Sequence, residues 1–253
     1  MTAIQSDALI LHAHAPALVG DDDRPLGVVH AMERGMPGLR LGWAIVDKGE
    51  LVSVPEDEVR GAARASNGDF LLLCNADEDH LVALTRREVP GGLCPGGKTQ
   101  FFIYADWPMD ASGLAAASDV LEGVAERARS YWAHLTPRSV TKHIWDQTSH
   151  TPGGPQTSPR GLPMLKRPWE IRSPDIPGHM GWLNYWSAAT ARAIGFPDPA
   201  RDAELLSRSR RTESGGWVVR LTDAPLDLDD PAHFQALLRA YERFPVIGGR
   251  APE

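Results

Sequence analysis

A chain of 253 residues, 42% apolar and 23% charged, has the make-up of a folded globular protein and is too apolar for wholesale disorder. Its 26 Lys and Arg stand against 33 Asp and Glu, and the net charge of -7 argues against a nucleic-acid binder, which would carry a basic face. No run approaches the roughly 20 apolar residues that a membrane helix needs.

Taken in chain order, Ala8 to Ala15 is a short apolar run suited to a strand. Asp23 and Pro25 then read as the cap and first turn of a helix, which Gly35 to Gly38 stops. Leu39 to Val46 and Leu51 to Val54 read as strands, and Glu56 to Ala65 as a short helix. Phe70 to Cys74 and Leu81 to Arg86 form a hairpin pair around an acidic turn, and Thr99 to Ala105 is a strong strand. Ser112 to His134 is expected to be the longest helix. Residues 148–179 hold seven prolines and several glycines, which rules out long helices and central strands there.

Beyond that stretch, Met180 to Leu183 reads as a strand and Ser187 to Ile194 as a helix ending at Gly195. Asp198 opens a short helix through Leu206. Arg208 to Thr212 and Gly216 to Leu221 are strands about a turn, and Asp230-Pro231 starts a helix running to Phe244. The pattern predicts an α+β fold: a mainly antiparallel sheet flanked by helices, with a long Pro/Gly-rich loop in the middle. One domain over 1–253 is expected, with two halves, 1–147 and 180–253, joined by the excursion 148–179 as the other arrangement.

The candidate chemistry is sparse. His12 and His14 lie two apart on a strand, so both imidazoles share one face and form a candidate metal pair. Asp21, Asp22 and Asp23, with Asp77, Glu78 and Asp79, form two acidic clusters able to face a cationic partner. Cys74 and Cys94 allow one disulfide but make no framework. Trp107, Trp132, Trp145, Trp169, Trp182, Trp186 and Trp217 read as core or interface anchors. There is no Gly-x-Ser-x-Gly, P-loop or dinucleotide glycine motif. The N-terminal residues lack a secretory pattern, so a soluble cytoplasmic protein is expected.

The most distinctive text is C-terminal. It includes Gly181-Trp182-Leu183-Asn184-Tyr185-Trp186, Gly216-Trp217-Val218-Val219-Arg220 and Tyr241-Glu242-Arg243-Phe244-Pro245. Together with Ala15-Pro16-Ala17-Leu18-Val19-Gly20-Asp21-Asp22 it resembles a family of uncharacterised myxobacterial proteins, itself similar to the immunity protein 52 group of polymorphic-toxin systems. In that resemblance Gly181, Trp182, Asn184, Tyr185, Trp217, Tyr241, Phe244 and Pro245 are structural. It implies an antitoxin that binds one protein toxin, possessing a basic surface, and blocks it without catalysis, cofactor or metal, with no nucleic-acid or membrane partner. Two other readings stay open on the residues alone: a metal-dependent hydrolase using His12 and His14, and an assembly subunit with a Trp-rich docking surface.

Overall fold

The computed structural model describes residues 8–46, 50–55, 72–77, 79–148, 158 and 160–250. Ten strands form one sheet: β1 Ala8–Pro16, β2 Trp43–Ile45, β3 Leu51–Ser53, β4 Leu72–Cys74, β5 Ala83–Val89, β6 Gln100–Pro108, β7 Trp132–Pro137, β8 Leu183–Trp186, β9 Ser209–Arg211 and β10 Trp217–Arg220. Their order across the sheet is β3-β2-β4-β5-β6-β1-β7-β8-β10-β9, and every neighbouring pair is antiparallel. The helices are α1 Arg24–Gly35, α2 Ala111–Ala128, α3 Arg138–Thr148, α4 Ala188–Ile194, α5 Ala203–Ser207 and α6 Pro231–Arg243. This is the α+β architecture expected from mixed strand and helix signals. Among the described residues no helix is long and apolar enough to cross a membrane.

Strand periodicity gives the sheet two unlike faces. Leu9, Leu11, Ala13 and Ala15 of β1 turn to one face with Phe101, Ile103, Ala105 and Trp107 of β6, and all are fully or nearly fully buried. The packed pair α1 and α2 covers this face. Gly35 lets the two helices approach, because a Cβ there would lie 2.6 Å from the Val120 side chain. The other face carries Ile10, His12 and His14 of β1, Phe102 and Tyr104 of β6, and Trp132, His134 and Thr136 of β7. Helix α3 packs against its β7 and β1 part.

Several boundaries differ from the sequence reading. Asp110 caps α2, accepting from the Gly113 N–H at 2.7 Å, but the helix stops at Arg129, whose φ of 55° is left-handed. Trp132 and His134 therefore belong to a central strand and not to the end of a long helix. Helix α3 follows that strand directly and lay unrecognised at the edge of the Pro-rich stretch. Asp23 occupies the N-cap of α1 without a capping side-chain bond. The Asp22 carboxylate accepts from the Arg24 backbone instead. The expected strand 39–46 shrinks to three residues, and the expected helix from Asp198 forms only as α5. The expected helix at 56–65 lies outside the described residues. Cys74 and Cys94 are both buried free thiols.

Candidate functional site

The second face of the sheet gathers four imidazoles. Cross-strand register sets His12 opposite His134 on one side and opposite Tyr104 on the other. His14 is likewise set between Trp132 and Phe102. The fourth ring, His179, arrives from the Pro-rich segment. Its Nε2 lies 2.9 Å from Nε2 of His134, so one ring donates a proton and the other accepts it. The His12 ring centroid is 4.9 Å from that of His134 and 6.5 Å from that of His179. One ring nitrogen from each of His12, His134 and His179 lies within 4.8 Å of the other two. His14 is engaged differently: it stacks on Trp132 at 4.1 Å, and its Nδ1 is 3.2 Å from Oε1 of Gln100.

His179 is held by residues of the C-terminal motif. The Asn184 side chain closes on Gly181 from both directions, accepting from its N–H at 2.9 Å and donating to its carbonyl at 3.0 Å. Gly181 has to be glycine, because a Cβ would stand 2.9 Å from the Leu135 carbonyl oxygen and 3.0 Å from Cβ of His134. The Tyr241 hydroxyl accepts from the Met180 N–H at 3.3 Å. The preceding segment is tied by backbone bonds from Leu165 to Gln147, from Lys166 to Gly248 and from Gly248 to Pro177. Trp182 donates to the Thr222 carbonyl, Tyr185 to Glu126, and Phe244 packs edge-on against Trp186. Trp217 meets Phe196 edge-on, and Pro245 is exposed.

Burial governs the electrostatics. It lowers His12 to about 4, and it lowers His14 to about 3 with help from the nearby His12. His134 and His179 fall well below the usual imidazole value for the same reason, burial first and neighbouring imidazoles second. All four rings are therefore neutral near pH 7, the form in which imidazole ligates metals. Beside them Asp106 pairs with Arg138 at 2.5 Å and accepts from the Tyr104 hydroxyl at 3.2 Å. Burial raises Asp106 despite the arginine, and burial and Asp106 together push Tyr104 up to about 12. The same face concentrates buried polar atoms without a hydrogen-bond partner: His134 Nδ1, Trp132 Nε1, Gln100 Nε2 and Thr136 Oγ1.

The acidic clusters are placed elsewhere. Leu18 donates to Glu88 at the end of β5, so Asp21, Asp22 and Asp23 sit where β1 and β5 finish. Asp77 and Asp79 sit in the β4–β5 turn, at the opposite end of those strands. The two clusters do not converge. Asp22 is turned inward to Arg24, and Asp77 accepts from the backbone of Asp79 and His80. Glu78 lies outside the described residues. Sequence reasoning found His12 and His14 but missed His134 and His179. His134 was hidden in the supposed helix, where the aromatic and β-branched run Tyr131 to Thr136 was the available strand signal.

A family profile described as "Domain of unknown function (DUF5953)" matches residues 20–252. The chain belongs to the DUF5953 family. No curated protein matches this DUF5953 chain in sequence. Among solved structures it is similar to the Pseudomonas aeruginosa T6SS protein PA0821, with a TM-score of 0.56 and 14% identity over 94% of this chain and 77% of that one. At that identity the likeness is one of fold.

Proposed function

We propose that this DUF5953 protein is an immunity-type protein of the kind found in the immunity protein 52 group. It binds one cognate bacterial toxin in the cytoplasm and blocks it by covering it, with no substrate of its own. The observation that carries a protein-binding role is the apolar outer end of the sheet. Among the described residues β3 pairs only with β2, and Trp43, Val46, Leu51 and Val52 of this hairpin region are all exposed. An open strand edge with exposed apolar side chains is a template for a protein partner. A toxin as that partner is supported by the T6SS protein that shares the fold and by the sequence resemblance. The acidic surface favours a toxin with a basic face, since opposite charge speeds encounter. Nucleic acid and membrane are not partners in this reading.

The test is growth rescue. The product of the neighbouring gene is induced with and without the chain, and the reading requires that this product arrest growth by itself. Protection by the wild type, lost in Trp43→Ala combined with Val52→Asp, supports the reading; growth arrest despite soluble wild-type protein overturns it. The hydrolase reading names His12 with His14; the described residues bring His12 together with His134 and His179, and set His14 against Trp132 and Gln100.

A further inference from the structure

We propose that His12, His134 and His179 form a binding site for a divalent transition metal of the zinc class, which fastens the Pro-rich segment to the centre of the sheet. The donor set suits such an ion: imidazole nitrogens favour zinc and its neighbours over magnesium or calcium, which require oxygen ligands. The geometry is close to what coordination demands. Metal–nitrogen bonds of about 2.0–2.1 Å at tetrahedral angles place ligand nitrogens about 3.4 Å apart. The 2.9 Å between His134 and His179 opens slightly to reach this, and His12 closes by on the order of 1 Å from its present limit of 4.8 Å.

Nε2 of His134 faces His179, so this ring, only 1% exposed, would ligate through Nε2 and keep its proton on Nδ1. The three ligands come from two adjacent strands and one irregular segment. Two of the ligands therefore sit on rigid elements, and the third brings the segment to them. Asn184, Gly181 and Tyr241 act as positioning residues, since they hold the backbone that sets His179. Three protein nitrogens leave one position of a tetrahedral ion for water or an outside ligand. This proposal is independent of toxin binding, so either can fail alone.

The experiment uses the full chain, stripped with a chelator and titrated with zinc and, separately, with cobalt(II), whose visible absorption reports tetrahedral coordination. We expect one equivalent of metal per chain. At a free zinc concentration about 100 times the dissociation constant, the melting temperature should rise by about 5–10 °C. His12→Asn and His179→Gln should each lose the cobalt spectrum and the thermal shift. His80→Ala, an exposed histidine away from the cluster, should keep both. Absence of stoichiometric metal and of a thermal shift in the wild type overturns the site. Undiminished binding in both cluster variants also overturns it, because the ion would then be adventitious.

Discussion

Arg24 shows how one buried charge organises a corner of the molecule. Its guanidinium meets Asp22 at 2.6 Å and donates to the carbonyls of Pro16, Ala17 and Ala128, joining the end of β1 to the end of α2. The hydrogen bond from Arg24 draws the Asp22 carboxyl down to about 2. Removing the arginine would take the guanidinium donors from the Asp22 carboxylate and from three carbonyls, and breaking a pair this buried costs about 3–5 kcal/mol. Arg24→Ala should therefore lower the unfolding free energy by about that much in denaturant titration, whereas a change under about 1 kcal/mol would contradict the account. The sequence showed Asp22 only as one of three acidic residues in a loop. Its inward partner is two positions away, yet the other three bonds of Arg24 depend on tertiary placement that no local pattern reveals.

At the scale of elements, caps and turns were the most legible features. Asp230 caps α6 through the Ala232 N–H at 2.7 Å, and Gly195 closes α4 with a φ of 73°. The hairpin of β4 and β5 and that of β9 and β10 formed where turn residues marked them. The misread element was the run after Ala128. Helix propensity carried on past it, but α2 ended on a left-handed arginine, which no glycine or proline announces. That error hid His134, and with it the meeting of His12 with His179. The motif around Gly181 is now explained physically: Gly181→Ala places a methyl group against the Leu135 carbonyl and His134, and must push the His179 segment away. We predict that Gly181→Ala loses zinc affinity and melts at a lower temperature than the wild type. Asn184→Ala should lose metal affinity with a smaller thermal cost. An unchanged metal affinity in both would show that the segment does not depend on this clamp.

Over the whole molecule, charge and titration set the behaviour. The two N-terminal acidic clusters stand at opposite ends of β5, so the net charge of -7 acts as a general field and not as one patch. The histidine cluster makes the fold sensitive to acid. Unfolded imidazoles titrate near 6.5, but in the fold His12 stays neutral to about 4 and His14 to about 3, and His134 and His179 are also lowered. Between these values the unfolded chain binds more protons, so stability is full above about pH 6.5 and falls as pH drops toward 4. Each histidine contributes up to about 1.4 kcal/mol per pH unit in that window. Asp106, raised by burial beside Arg138 and Tyr104, acts in the opposite direction, but four imidazoles outweigh one carboxyl. Urea midpoints should fall steeply from pH 7 to pH 5, and bound zinc should deepen the fall because protons compete for its ligands. A flat profile would contradict the buried placement of the cluster.

The central claim, that the exterior of this chain grips a toxin, is tested most directly by calorimetric titration. The purified chain is titrated with an inactivated form of the toxin that the growth assay identifies. We predict one-to-one binding in the nanomolar range typical of standard-size interfaces, weakened about 30-fold by Trp43→Ala as an anchor residue at the sheet edge. No detectable binding at micromolar concentrations, by protein of normal fold and stability, would contradict it.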